Sequence, residues 1–168
     1  KSSFLVSGRR TYIDILAKPF IAQQQKNEET KVNPGYYFYD LNAKVNYDFG
    51  DKDKLYLSGY LGQDRFSVIE KGEGNRMDAG LNWGNVTATL RWNHLFGSRL
   101  FANTSLIFSN FKFGIDNYVE EERNGGEKAE FTLKYLSRIR DIGLKTDFDY
   151  YPHPSHALRF GVQGTKHQ

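Results

Sequence analysis

The chain has 168 residues, 23 Lys and Arg against 20 Asp and Glu for a net charge of +3, and no cysteine. Zero cysteine excludes a disulfide scaffold, a thiolate metal site and a cysteine nucleophile, and a weak charge spread over both signs gives no footprint for nucleic acid. No apolar stretch approaches the roughly 18–20 residues of a membrane helix, and the Lys-Ser-Ser-Phe start has no apolar signal core, so the chain reads either as mature and soluble or as a piece of something longer.

Eleven Tyr, thirteen Phe and sixteen Gly accompany only 39% hydrophobic residues. Aromatic, glycine-rich and polar at once, the composition suggests strands whose two faces meet different solvents. Thr11 to Phe20 has Tyr12, Ile15 and Leu16 at helical spacing, with Pro19 expected to end the turn. The polar stretch Gln23 to Lys31 reads as mobile.

The clearest strand is Tyr36 to Phe49. Tyr37, Tyr39, Leu41, Ala43, Val45, Tyr47 and Phe49 share one face, while Phe38, Asp40, Asn42, Lys44, Asn46 and Asp48 share the other. Aromatics at both ends of the apolar face, with aliphatic and small residues between, have the order of girdle, lipid belt and girdle. The first set is therefore expected to face lipid and the second the lumen of a barrel. A one-sided soluble sheet gives the same pattern, and the sequence does not separate the two.

Leu55, Leu57 and Leu61 continue the alternation more weakly. Met77 to Leu95 breaks parity: Met77, Ala79, Leu81 and Trp83 are odd, Val86, Ala88, Leu90 and Trp92 even. The break predicts a β-bulge or a tight hairpin at Gly84-Asn85. Leu100 to Ile115 is strand-like but ambiguous in facing. Further on, Leu144, Phe148, Leu158 and Phe160 join the expected lipid face, and Lys145, Asp147 and Asp149 the expected lumenal face.

Tight connections are expected at residues 50–53, 96–99 and 152–155, and long loops at Arg9 to Pro34, Ile69 to Arg76 and Asp116 to Glu127. The two kinds alternate, so an up-and-down meander puts all the tight turns at one end. The fold expectation is an all-β, antiparallel, up-and-down transmembrane barrel segment with no internal domain boundary.

No catalytic, cofactor or metal site emerges. His153 and His156 form HxxH across a turn and lack a third ligand. His94 and His167 stand alone, and Glu120 to Glu122 reads as a solvated charge run. Arg9-Arg10 and Arg138/Arg140-Asp141 read as ordinary ion pairing, with lipid phosphate as the alternative. Gly72, Gly74, Gly125 and Gly126 punctuate loops without cradling phosphate. Nothing supports an enzyme.

The segments Lys1 to Phe20, Tyr36 to Tyr47, Asp51 to Phe66, Asn82 to Phe111 and Ser137 to Gly161 resemble, in order, the middle of the β-barrel in TonB-dependent receptors, above all members with a carboxypeptidase-regulatory-like N-terminal domain. That resemblance implies a bacterial outer-membrane barrel of about 22 strands enclosing a plug and importing a scarce ligand with energy from an inner-membrane complex. It implies as partners the outer-membrane lipid, the remainder of the barrel with its plug, the TonB complex, and in some members a surface lipoprotein. No nucleic acid and no cofactor is implied. The chain departs from the family pattern in showing no plug, no TonB-contacting box and about seven strands, too few for such a barrel to close without unpaired edges, so residues 1–168 are expected to be part of a longer barrel. Two alternatives stay open: a soluble lipocalin-like binding barrel, and a small outer-membrane barrel of hydrolase or structural function.

Overall fold

A computed structural model describes residues 1–26, 28–122 and 126–168. Seven strands form one sheet in sequence order: β1 (Ser2–Arg10), β2 (Lys31–Asp48), β3 (Asp53–Lys71), β4 (Asn75–Leu95), β5 (Leu100–Glu122), β6 (Lys128–His153) and β7 (His156–His167). Every neighbouring pair is antiparallel. No contact joins β1 to β7 among the described residues, so the sheet is open with two free edges.

The sheet has no core. Ala102 is its one buried hydrophobic residue among those described, beside buried Asp40 and Ser105. The chain exposes 12607 Å², where a compact protein of its mass exposes about 8,500 Å². A single layer leaves both of its faces open.

Several local expectations are corrected. The helix α1 spans Ile13–Gln24 and continues through Pro19, forgoing the bond that residue cannot donate. Beyond it, Gln25 meets Val32 on both backbone groups, its Nε2 donating to the carbonyl at 2.6 Å and its Oε1 accepting from the amide at 2.9 Å. This contact ties the start of β2 to the residue after the helix, and residues 25–30 of the polar 23–31 stretch lie between the two elements.

The loop expected at Ile69 to Arg76 is a connection of residues 72–74. Gly72 donates its amide to the Asn75 carbonyl at 2.9 Å, and Gly74 takes a φ of +74°, which a side chain resists. The loop expected at Asp116 to Glu127 is largely strand, with β5 running to Glu122 and β6 starting at Lys128. Gly125 and its neighbours 123–124 lie outside the described residues. β5 and β6 have 23 and 26 residues, against the 9–11 that cross a bilayer.

Neither a bulge nor a hairpin interrupts Gly84-Asn85. β4 pairs without a shift to both neighbours from Asn75 to Leu95. The one register shift in the described pairings falls between Tyr150 and His153, beside the β6–β7 turn.

Candidate functional site: a sheet with two exchanged faces

Paired residues on adjacent strands point to the same side, and successive residues to opposite sides. The register therefore assigns every strand residue to one of two faces. The front face carries odd residues in β2 and β3 and even residues in β4, β5, β6 and β7. Tyr37, Tyr39, Leu41, Val45, Tyr47, Leu144, Phe148, Leu158 and Phe160 all lie on it, and Phe49 continues it just past the end of β2. Asp40, Asn42, Lys44, Asn46, Asp48, Lys145, Asp147 and Asp149 all lie on the back. The two groups of each set come from opposite parts of the chain, and three intervening strands bring them to a common side.

The sequence reading left most of the middle strands unassigned. The register places Leu55, Leu57, Leu61, Val86, Leu90, Trp92, Leu106 and Phe108 on the front. One row runs Phe4, Val45, Leu57, Leu90, Leu106, Leu144 across six strands. These rows form a continuous apolar band. On β2 it runs from Tyr39 to Tyr47 and on β6 from Ile142 to Tyr150. Nine residues rise about 27 Å along a strand, or about 21 Å upright at a 40° tilt.

Aromatics border the band. Towards the short turns, Tyr47 and Phe49 meet edge-on at 4.7 Å between ring centroids, Phe148 stacks on Phe160 at 5.3 Å, and the Trp92 indole donates to Asp53 Oδ1 at 2.9 Å. At the other border the Tyr39 hydroxyl donates to Gln63 Oε1 at 2.7 Å.

Behind the band the wall is polar and internally paired. Arg9 Nε reaches Asp40 at 2.6 Å, Arg159 reaches Asp149 at 2.6 Å, and Lys145 reaches Asp147 at 2.9 Å. Lys44 Nζ lies 5.8 Å from the centre of the Tyr56 ring. Opposite charges set across a strand pair are the arrangement that stabilises such a wall.

Above the band the faces exchange character. Front positions become polar: Arg65, Asp78, Asn82, Asp116, Lys134. Back positions become apolar: Phe38, Phe66, Trp83, Phe113, Tyr135. The switch lies near residue 39 in β2, 63 in β3, 84 in β4, 112 in β5 and 138 in β6. Those five positions are cross-strand partners, Tyr39 to Gln63, Gln63 to Gly84, Gly84 to Lys112 and Lys112 to Arg138. The parity break in β4 is thus one point on a line crossing five strands. A bulge is local to one strand; a change of surroundings at one height acts on all of them.

High on the front face, Tyr118, Glu120 and Lys128 form a chain. Lys128 Nζ is 2.7 Å from Glu120 Oε1, and the Tyr118 hydroxyl donates to Glu120 Oε2 at 2.8 Å. These bonds, Lys128 first, hold the Glu120 carboxyl below its usual range. The bond to Glu120, with burial second, pushes Tyr118 up to about 12. The three carboxylates of the Glu120 to Glu122 run do not share one face. Glu121 alternates to the back face opposite Ala129, and no group of three potential ligands gathers among the described residues. His153 and His156 face each other across the β6–β7 turn. His94 meets Asp53 at 2.6 Å and His167 meets Asp141 at 2.8 Å, so neither stands alone.

No protein-family model matches the chain, and no curated protein matches its sequence. Solved structures do. A chain of the RagAB peptide importer in its open-open state aligns with 89% of this chain at 8% identity and a TM-score of 0.57, over 19% of its own length. BauA, the ferric preacinetobactin receptor of Acinetobacter baumannii, aligns with 82% at 8% identity and a TM-score of 0.46, over 26% of its length. Ail, the attachment invasion locus protein of Yersinia pestis, aligns with 96% at 13% identity and a TM-score of 0.32, over 84% of its length. This chain spans about one fifth of the RagAB chain, and the likeness between them is one of fold: seven antiparallel up-and-down strands in one open sheet.

Proposed function

We propose that the chain is one sector of a larger closed barrel in a bacterial outer membrane, of the TonB-dependent receptor kind, which takes up a scarce ligand. The observation that carries this reading is the alignment of five polarity switches along one line of cross-strand partners. In it, the front band meets hydrocarbon. The polar wall of Asp40, Asn42, Lys44, Asn46, Asp48, Lys145, Asp147 and Asp149 lines the interior, where it meets water or a plug. The long strand ends stand outside the cell, where the front meets water and the apolar back turns inward.

Closure removes the free edges of β1 and β7, which no lipid environment tolerates.

A lipocalin-like barrel puts its apolar faces inward and has no reason for a switch at one height. The partners follow from the transporter reading: lipid around the band, the rest of the barrel and its plug, the energy-transducing complex, and a surface lipoprotein in those members that use one. No part of the reading calls for an enzyme or a cofactor.

The test is site-directed labelling in the intact outer membrane. Single cysteines at Leu106 and Leu144 should resist a water-soluble maleimide and be quenched by lipid-borne nitroxide, while cysteines at Ser105 and Lys145 should do neither of these to the same degree. Equal labelling on both faces would sink the membrane reading. Uptake is tested separately: the periplasmic domain of the energy transducer should capture the intact protein, and failure to do so would leave a barrel of other function.

A further inference from the structure

Among the described residues, neither Arg138 nor Arg140 pairs with a carboxylate. Asp141, their sequence neighbour, points to the opposite face and is engaged by His167 at 2.8 Å. On the front face Arg138 sits directly opposite Lys112, and Arg140 lies two residues further along the same strand. Lys166 stands on β7 opposite Ile142, one diagonal step away. All four side chains are exposed, and none makes an ion pair among the described residues.

Like charges facing each other across a strand pair are destabilising. Among the described residues no carboxylate offsets them. The surrounding front positions are Gly84, Asn110, Gly114, Leu136, Ile142, Gly164 and Gln168, with no acidic side chain among them. Arg10, the other basic group at this height, does have a carboxylate, Asp14 at 3.7 Å.

The cluster also sits at a particular height. The cross-strand pair Phe108 and Ile142 closes the apolar band on β5 and β6, and the next two rows outward are Asn110 with Arg140 and Lys112 with Arg138. Two rows rise about 13 Å along the strand, so flexible Arg and Lys stems leave their charges within the headgroup layer.

We propose that Lys112, Arg138 and Arg140, flanked by Lys166, form a binding site for the phosphate-bearing headgroup of a membrane lipid, whose acyl chains run down the band over Phe108, Ile142 and Leu144. The phosphate supplies a counter-charge to the facing Lys112 and Arg138, and the guanidinium forks of Arg138 and Arg140 suit its oxygens. The proposal rests on the front face meeting lipid.

The test uses the intact protein extracted from its own membrane in mild detergent. Native mass spectrometry and phosphate analysis count the phosphorylated lipid retained. The wild type should hold such a lipid. The combined variant Lys112→Gln, Arg138→Gln and Arg140→Gln should hold about a hundredfold less, at about fivefold per charge. The swap Lys112→Arg, Arg138→Lys and Arg140→Lys should retain most of it. Lys134→Gln, whose strand partner is Asp116, should change nothing.

Undiminished lipid in the glutamine variant would overturn the proposal. So would a wild type that keeps no lipid and takes up inorganic phosphate alone. A heat-dependent gel shift shows that each variant is folded. A fluorophore at Leu144→Cys, read by lipid-borne quencher, separates the two layers of the argument. Quenching there with undiminished lipid in the glutamine variant removes the site and leaves the barrel; no quenching removes both.

Discussion

Replacing Leu144 and Leu136 by Arg, one at a time, sets lipid against water on a single strand. Both leucines lie on the front of β6, at 56% and 68% exposure. Neither is packed enough for its loss to open a cavity. If water bathed the whole front face, each change would cost within about 0.5 kcal/mol, as surface substitutions do. The band places them differently. Leu144 lies in the row with Leu106 and Leu90, well inside it, whereas Leu136 is beyond Arg138 on the polar side of the line. Arg near the middle of a barrel's lipid face costs about 2–4 kcal/mol, falling to about 0–1 kcal/mol towards the headgroups. The expected difference is thus about 2–3 kcal/mol between two identical substitutions eight residues apart. Reversible urea unfolding of the protein in phosphatidylcholine vesicles measures it. At a slope of about 3 kcal/mol per molar, Leu144→Arg should lower the midpoint by about 1 M and Leu136→Arg by a third of that or less. Equal shifts for the two variants, or a Leu144→Arg shift no larger than a surface change, would refute the assignment of the band to hydrocarbon.

The two tryptophans of the chain offer a probe without new chemistry. Trp92 borders the band on the front, and Trp83 lies above it on the back, so Trp92→Phe should abolish quenching by brominated lipid that Trp83→Phe leaves intact; the reverse result would exchange the faces. Tyr118 should be among the last tyrosines to ionise, near pH 12, and Glu120→Gln should bring that step down towards the ordinary 10.0 in a spectrophotometric titration. The Glu120 carboxyl is held low and the Lys128 ammonium high. Their pairing should therefore support the outer ends of β5 and β6 between about pH 4.5 and 10. It fades below this window as Glu120 protonates, and above it as Lys128 and Tyr118 lose protons; corrected amide exchange on these strand ends that stays constant across pH 3–6 would contradict this. Gly161→Ala should cost about 1–3 kcal/mol, because the new carbon would come 2.6 Å from the Thr146 carbonyl oxygen. A melting temperature equal to wild type would mean that the edge strand yields.

Residues 36–49 could be read from sequence because they lie almost wholly on one side of the line, so their alternation never changes phase. Met77 to Leu95 crosses the line, and its string of residues is the same whether the backbone bulges or the solvent changes. Only the register, a property of pairs of strands, separates the two. Phe111, Phe113 and Ile115 are odd while Leu106 and Phe108 are even, and the crossing made that whole segment ambiguous by itself. The segment around Ile69 to Arg76 reads as loop for a related reason. Strand ends exposed on their front face carry Lys71 and Arg76, the residues of loops, and their register is set by pairing rather than by local sequence. The basic cluster was visible as Arg138 and Arg140, but its meaning depended on Asp141 pointing away and on Lys112 arriving from β5, neither of which is a local property. Pro19 misled because an exposed helix can forgo one hydrogen bond to water and continue.

A line of exchanged polarity crossing the sheet at one height also limits how such a chain can change its length. One residue inserted into a strand within the band turns every later side chain on that strand to the opposite face, putting carboxylates into the apolar side and leucines into the polar wall. Two residues added to each strand of a hairpin beyond the line keep every face and lengthen only the part that stands outside. β5 and β6 each run two residues further beyond the line than β2 and β3. The hairpins beyond the line are therefore free to grow or shrink by paired dipeptides, and their reach can vary while the wall beneath them stays unaltered.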